Sequence, residues 1–583
     1  MRINNINSWQ YSKSLNTMLF FAQRMDELLF HHSTDSYRYP VLSIIGLCDE
    51  YICVYKDIED GIINEKNLSH IVDEIAALLK EDSVAINILS SKYKDRFVKS
   101  IGSWNKHQTY ENILFVRRKL GGNKYYYHVV ELLRNNIRKN SEKRLVDKYA
   151  GILIRLLIDA GYNETYIYGC LHDVFFHKLV NSTDSFDVFI SKFTFGLKKY
   201  DVYIGYSYDL SQLVPLFQRM KAENVVISCV DLTNLPTGIR AKGQKTILKF
   251  ENVQGLDVYS AYEFVRTISR FIINAYGYYS HIKNGIKEYG QVVDENNRIQ
   301  TISNQDLLKY RVSSLSHEES QTNAEGLLNV LFSTYQNMDE ISRITAIHNS
   351  AICSENTSDS LLSLWSIAES LSGDMDADKI VRVKESMLPF LKSTYIEKLV
   401  NTCMMDIRRW NQDFFYKIKE ESSCEDDLEA AFAFLVLEEM DEMRKKLYEL
   451  TELFPLLRYR VYFLNAQLQN SKGFTALILA HKNRVEWQLH RIYRARNYII
   501  HDGRRGDKHN SELVINLHSY IDIMFTKIIE LLGQSPYSDD SISDIIIEHR
   551  LKTSIMDERL EEKGKTKLNR SELRFYLYYD YER

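Results

Sequence analysis

The residues best suited to carry chemistry lie together near the end of one amphipathic segment, in the run Arg494-Ala-Arg-Asn-Tyr-Ile-Ile-His501. The side chains of Arg494 and Arg496 can hold a phosphate through charge and paired N–H donors. His501 can accept or release a proton near neutral pH, and a helix end favours its charged form. Asn497, one turn earlier, can orient the imidazole or bind a phosphate oxygen. These residue types at this spacing indicate a ribonuclease site.

Helical geometry divides these residues between two faces. On a helical projection that starts at Val485 and turns by about 100° per residue, Arg496 falls among apolar side chains. The opposite, polar stripe contains His490, Arg494, Asn497 and His501. A guanidinium in an apolar setting needs a partner, and we predict Glu369, on an apolar helical segment upstream, as that structural partner. The pattern leaves open whether Arg494 or Arg496 contacts the phosphate, and whether Arg496 only fixes helix packing.

Further basic residues surround this run, and we predict that they bind the RNA backbone. They are Arg491, Arg504, Arg505 and Lys508. The net charge of -4 gives no general attraction for nucleic acid, so a contact with RNA has to come from such a local patch. The alternative interpretation is a solvated basic face without a ligand.

The composition is that of a folded protein with several domains. The chain has 583 residues, of which 45% are hydrophobic and 26% charged, and only six are prolines, which favours helix. Seven scattered cysteines without a C-x-x-C pair argue against a disulfide framework and a zinc site, so we expect no metal. The amino terminus lacks the apolar region of a signal peptide, and the apolar runs are too short to span a bilayer. We therefore expect a cytoplasmic protein without a membrane contact.

The pattern along the chain predicts an α+β fold, in which a mixed α/β amino-terminal region precedes an all-α bundle. Residues 1–200 combine helical segments with strand-like runs at 51–55 and 125–130, which predicts an α+β or mostly helical region. This region could serve as a sensor or regulator. The pattern at residues 201–327 predicts a small domain with a probable βαβ unit, because a strand pattern, a helix pattern and a second strand pattern follow one another there. This domain lacks a glycine-rich phosphate loop, so no cofactor is expected.

The second half of the chain is predicted to be helical. Residues 328–535 show one amphipathic segment after another, and the last of these has its apolar residues on one stripe before Gly533. Residues 536–583 are predicted to form a charged and aromatic carboxy-terminal tail. Its strand-like run at 575–579 could pair with a sheet edge or with a partner.

The run Arg496-Asn497-x-x-x-His501 resembles the motif of the HEPN superfamily, in which an arginine and a polar residue precede a histidine near the end of a bundle helix. The context is also similar, with Leu361-Leu-Ser-Leu-Trp-Ser-Ile-Ala-Glu369 upstream and a long amphipathic helix downstream. This order resembles the ApeA-type HEPN domain of bacterial anti-phage defence proteins over residues 330–535. The insert-like stretch between residues 399 and 470 makes the bundle larger than a minimal HEPN domain.

The resemblance implies a metal-independent endoribonuclease whose active site is composite and forms across a homodimer. His501 would deprotonate the ribose 2′-hydroxyl or protonate the leaving oxygen, and an arginine would stabilise charge on the phosphate. The product would be a 2′,3′-cyclic phosphate, and DNA would resist. Whether the RNA is tRNA, mRNA or rRNA is not distinguished by the sequence.

The same resemblance implies a toxic effector of phage defence, acting by abortive infection. The amino-terminal half would then regulate the nuclease in response to a phage-derived or nucleic-acid trigger. The alternative function is a catalytically inactive HEPN-like module that binds nucleic acid or protein, in which Arg496 is structural and His501 an ordinary capping residue.

Overall fold

The computed structural model describes most of the chain. The described residues are 6–29, 40–65, 68–101, 105–215, 225–241, 243–280, 288–302, 317–333, 337–354, 356–373, 377–502, 510–534, 540–562 and 566–579. The chain forms two compact units, one from residues 11–152 with 307–583 and the other from residues 6–10 with 153–306. This division differs from the predicted ranges 1–200, 201–327, 328–535 and 536–583, because helices from the two ends of the sequence pack together in the first unit.

The amino-terminal part of the chain is helical. Its helices are α1 (Asn16–Leu29), α2 (Ile44–Glu59), α3 (Ser69–Glu81), α4 (Ser83–Leu89), α5 (Ser91–Ile101), α6 (Lys106–Leu120), α7 (Lys124–Arg138) and α8 (Lys143–Asp159). The prediction of strands at 51–55 and 125–130 is wrong, since these runs lie inside α2 and α7. Their aromatic and β-branched residues follow helical spacing, as Leu47, Tyr51 and Val54 show by being buried on one face of α2.

The second unit contains the sheet. Its elements are α9 (Glu164–Phe175), α10 (Ser185–Ile190), β1 (Lys198–Tyr206), β2 (Val226–Cys229), β3 (Thr246–Gly255), α11 (Val258–Ser280), β4 (Glu288–Val293) and β5 (Ile299–Ile302). The strand order is β2-β3-β1-β4-β5, and every neighbouring pair is antiparallel. Val202 and Ile204 of β1 share a buried core with Tyr262 of α11. A Cβ atom at Gly290 would lie 2.2 Å from the Tyr262 ring, so β4 needs glycine at this close approach.

The predicted βαβ unit is wrong in its pairing. Strands β1 and β2 run in the same direction, because each is antiparallel to β3, but β3 lies between them. The spacing of strand, helix and strand along the sequence cannot reveal that a later strand is inserted between the first two. The helix of this pattern, which we predict at residues 210–221, lies partly outside the described residues, which show a 3-10 turn at Ser211–Leu213 followed by helical residues at 214–215.

The carboxy-terminal part is also helical. Its helices are α12 (His317–Ser333), α13 (Met338–Cys353), α14 (Thr357–Ser370), α15 (Lys379–Ser393), α16 (Tyr395–Trp410), α17 (Gln412–Ser422), α18 (Asp427–Val436), α19 (Asp441–Leu450), α20 (Pro455–Leu468), α21 (Ser471–Asn497), α22 (Asn510–Gln534), α23 (Ile542–Glu562) and α24 (Leu573–Leu577). A mostly helical protein with a small antiparallel sheet confirms the α+β class. Among the described helices, none combines the length and apolar composition that crossing a membrane requires.

The segment predicted as a tail packs onto the first unit. Ile545 and Met556 of α23 are buried, and so is Tyr576 of α24, whose ring meets that of Phe474 edge to face with centroids 4.9 Å apart. The run at 575–579 therefore does not form a strand. Its alternating aromatic residues gave a strand pattern, but burial against α21 selects a short helix.

A buried ion triad links α1 to the carboxy-terminal helices within the first unit. Arg460 of α20 is 6% exposed and donates hydrogen bonds to Glu27 of α1 at 2.5 Å and to Asp406 of α16. The side chains of Glu27 and Asp406 are 1% and 0% exposed. Helices that are far apart in sequence thus share one interior within the first unit.

Candidate functional site

The candidate motif lies at the end of the longest stretch of continuous helix in its region, α21. This helix begins after Asn470, whose side chain accepts a hydrogen bond from the backbone N–H of Gly473 at 3.0 Å. After Asn497 the backbone widens into a π-helical turn, Tyr498–Asp502, which contains the backbone of His501. Single π-helical turns within α-helices are rare and occur frequently at functional sites.

Part of the predicted site lies outside the described residues. This holds for Arg504, Arg505 and Lys508, which we predicted to bind RNA, and for the side chain of His501. Among the predicted catalytic residues, the side chains of Arg494, Arg496 and Asn497 are described. These side chains show that Arg494 and Arg496 have different environments.

Arg496 lies at the edge of the bundle, beside Glu369 of α14. Its Nη2 atom is 3.6 Å from the Glu369 carboxylate, and its Nη1 atom donates a hydrogen bond to the side-chain oxygen of Asn497 at 3.1 Å. Glu369 also accepts a hydrogen bond from the indole N–H of Trp365 at 2.8 Å and lies 3.7 Å from Lys379. The Arg496 side chain is 15% exposed, so its guanidinium is held by a neighbouring acid and still reaches solvent.

Arg494 has the opposite environment. Its side chain is 3% exposed, and its guanidinium donates to the Glu50 carboxylate of α2 at 2.5 Å and to Nε2 of His70 on α3. The helical projection placed Arg494 on an accessible stripe, and this is wrong. It placed Arg496 against the bundle, where the side chain does lie beside Glu369 but is only partly buried. The amino-terminal helices α2 and α3 cover the polar stripe at His490 and Arg494, so this part of the helix is not exposed.

Arg491 is buried by the same two helices. It is 4% exposed, donates two hydrogen bonds of 2.9 Å to Glu50 and one of 2.6 Å to Glu74. The predicted contact of Arg491 with RNA does not fit this structure, because its Nε and Nη2 atoms already bind two carboxylates and its side chain is buried. We refer to Glu50, His70, Glu74, Arg491 and Arg494 as the ion cluster.

The ion cluster is buried and its protonation is strongly constrained. Burial would raise the pKa of the Glu50 carboxyl, but Arg491 and Arg494 outweigh it and lower that pKa to about 2. Burial raises the pKa of Glu74, and Arg491 opposes this only in part. Burial and Arg494 lower the pKa of His70, consistent with a neutral Nε2 that accepts a hydrogen bond.

Two further contacts extend this interface along α21. The rings of His70 and His490 stack with centroids 4.3 Å apart and planes 16° apart. One turn beyond Arg494, the hydroxyl of Tyr498 donates to Asp57 of α2 at 2.5 Å. The amino-terminal helices therefore contact α21 from His490 into the π-helical turn itself.

Sequence reasoning missed Glu50, His70 and Glu74. A signal was present, since Glu50 and Glu74 each lie next to buried apolar positions of an amphipathic helix, namely Tyr51 and Ile75. Such acids need basic partners in the same way that Arg496 needs Glu369. The sequence does not tell which of the many basic residues they meet.

Comparisons of the chain with family models, with curated proteins and with solved structures found no match. The HEPN assignment therefore stays a prediction from the sequence motif.

Proposed function

We propose that the chain is a metal-independent endoribonuclease of the HEPN type, whose catalytic residues are Arg496, Asn497 and His501. One observation carries the proposal. Arg496 and Asn497 are hydrogen-bonded to each other directly before a π-helical turn that contains His501, and both side chains are only half-buried. A phosphate-binding cation, an amide and a proton-transfer group thus follow one another over a single irregular turn.

The chemistry follows from these groups. His501 takes the proton of a ribose 2′-hydroxyl, whose oxygen attacks the adjacent phosphorus while the bond to the 5′-oxygen breaks. The 5′-oxygen leaves with a proton, which a second copy of the motif supplies in a homodimer. Arg496 stabilises the charge on the phosphoryl oxygens, and Asn497 holds its guanidinium in place. The products are a 2′,3′-cyclic phosphate and a 5′-hydroxyl, and no cofactor takes part.

The environments of the two arginines support Arg496 as the phosphate contact. Its separation of 3.6 Å from Glu369 is longer than a hydrogen bond, so an incoming phosphate can compete for the guanidinium. Arg494 would have to leave Glu50 and the interior of the protein first. We therefore assign Arg494 to the ion cluster and not to catalysis.

The ion cluster supports regulation by the amino-terminal half. Helices α2 and α3 hold α21 through Arg491 and Arg494, which lie shortly before the proposed catalytic residues on the same helix. A trigger that loosens these helices would alter the geometry of the π-helical turn. This arrangement suits a toxic effector of phage defence whose activity must be restrained until infection.

The test is RNA cleavage by single variants in EDTA, at a temperature where circular dichroism shows them folded. We expect Arg496→Gln and His501→Ala to lower the rate by about 100-fold or more, the usual contribution of a charge-stabilising or proton-transfer group. Arg484→Gln is the matched control, because Arg484 lies on the same helix and donates to the Tyr395 hydroxyl at 3.2 Å. It should cleave at the wild-type rate.

The product and the outcome of the His501 variant decide between the two candidate functions. RNA with a single 2′-deoxy residue at the cleaved position should resist, and the wild-type product should carry a 2′,3′-cyclic phosphate. Full activity of a folded His501→Ala protein refutes this site. If the wild-type protein binds RNA without cutting it, the chain is a HEPN-like binding module. The burial of Arg491 and Arg494 is compatible with that function as well, because neither arginine would have to take part in catalysis.

A further inference from the structure

A second group of chemically capable side chains lies outside the candidate nuclease site. His348 of α13 meets His518 and Asp522 of α22, and we refer to these three residues as the His-His-Asp cluster. The Nε2 atom of His348 lies 3.1 Å from one carboxylate oxygen of Asp522, and the Nδ1 atom of His518 lies 2.9 Å from the other. One nitrogen from each ring and a carboxylate oxygen all lie within 4.8 Å of one another.

The buried His518 uses only one of its two ring nitrogens, Nδ1, in the contact with Asp522. Its side chain is 3% exposed, and its Nε2 atom is buried with no hydrogen-bond partner among the described residues. An unpaired polar atom in the interior is costly, so such atoms usually indicate a water, an ion or a functional role. His348 and Asp522 are 26% and 46% exposed, so the cluster opens to solvent on one side.

We propose that the His-His-Asp cluster binds a divalent transition-metal ion, for which Zn²⁺ is the best fit. Imidazole nitrogen and carboxylate oxygen are preferred zinc ligands, with bonds of about 2.0–2.2 Å, which place ligand atoms roughly 3–3.5 Å apart. Both measured contacts to Asp522 are close to this range. A small rotation of the side chains would complete three protein ligands, and a water molecule from the open side would be the fourth.

The placement of the ligands on two helices explains what the ion would do. His518 and Asp522 are one turn apart on the same face of α22, and His348 comes from α13, more than 160 positions earlier in the sequence. An ion bound here ties α13 to α22 and stabilises the helical bundle. It stands apart from the proposed cleavage chemistry, because none of its ligands belongs to the motif on α21 or to the π-helical turn.

The experiment uses the full chain freed of metal with EDTA and then titrated with Zn²⁺ by isothermal calorimetry, with the metal content measured by mass spectrometry. We expect one Zn²⁺ per chain and a higher unfolding temperature with Zn²⁺ than with EDTA. His348→Gln and Asp522→Asn should each weaken binding by more than about 100-fold, since even residues that only orient ligands contribute about 10- to 100-fold. Replacement of the buried His518 can also disturb folding, so the two half-exposed ligands decide the result.

A matched control is His177→Gln. His177 lies 3.4 Å from Asp173 at the same four-residue spacing, but both side chains are largely exposed. This variant should bind Zn²⁺ as the wild type does, and Co²⁺ in place of Zn²⁺ should give the visible absorption of a four-coordinate site only while the His-His-Asp cluster is intact. Absence of Zn²⁺ binding, wild-type affinity in His348→Gln and Asp522→Asn, or loss of binding in His177→Gln would each overturn the proposal.

Discussion

The replacement Glu50→Gln tests how strongly the ion cluster holds the amino-terminal helices on α21. The change keeps the shape of the side chain and removes the charge that Arg491 and Arg494 share. Burial tends to raise the pKa of Glu50, yet the two arginines lower it from 4.5 to about 2. Since one pKa unit corresponds to about 1.4 kcal/mol, the charge contributes about 3 kcal/mol to the free energy of unfolding. Removal of one partner from a buried ion pair costs about 3–5 kcal/mol, which agrees.

The assay is urea unfolding followed by circular dichroism, with Glu59→Gln as the control. Glu59 lies on the same helix and pairs with Lys106 at 2.7 Å, but its side chain is 56% exposed. An exposed pair contributes about 0–1 kcal/mol, so the control should unfold nearly as the wild type does. Equal effects of the two variants, or a loss below about 1 kcal/mol for Glu50→Gln, would refute the reasoning.

The dependence on pH gives an independent check. Because the pKa of Glu50 is lower in the folded protein than in the unfolded chain, its contribution is fully present above about pH 4.5 and is lost as the pH falls towards 2. The difference in stability between the wild type and Glu50→Gln should therefore be constant from pH 7 to pH 5 and shrink below pH 4.5. A difference that persists unchanged at pH 3 would show that the charge of Glu50 is not its source.

Two further predictions concern other ionisable groups of the first unit. Burial, together with Arg494, lowers the pKa of His490 from 6.5 to about 4, so the contribution of the neutral ring to stability should be present above pH 6.5 and lost as the pH falls to 4. In urea unfolding, the free energy of unfolding of His490→Asn should therefore depend less on pH in that window. The same pH dependence in the variant and the wild type would contradict this. Arg460→Met leaves the carboxylates of Glu27 and Asp406 buried without their cation and should lower the free energy of unfolding by about 3–5 kcal/mol in the same assay. A loss below about 1 kcal/mol would mean that water reaches the triad.

Much of the helical architecture could be predicted from the sequence, because a helix in a bundle needs apolar residues at a period of 3.6. This worked for the carboxy-terminal helices, where the stripe of α22 includes Leu513, Leu517 and Ile521, all buried. It failed for α7, where the run of three tyrosines at 125–127 has high strand propensity and hides the helical spacing of Val129, Leu133 and Ile137. Strand propensity is a weak guide, because burial against neighbouring helices decides the structure.

The candidate site shows the same limit at the level of single residues. The need of Arg496 for an acid could be inferred from its apolar neighbours, and Glu369 lies 3.6 Å from it. The burial of Arg494 could not be inferred, because a helical projection assumes that only one face of the helix is packed. The residues that bury the second face come from α2 and α3, and nothing local to residues 484–501 encodes them.

The ion cluster also fixes an order of events during synthesis. Glu50 and Arg494 are 444 positions apart, and Glu50 leaves the ribosome first. At about 5–20 residues per second, the helices that carry Glu50 and Glu74 exist for roughly 20–90 seconds before the motif is made. A growing chain therefore already contains Glu50, His70 and Glu74 when α21 emerges, so Arg491 and Arg494 can be buried against their partners as soon as they are made.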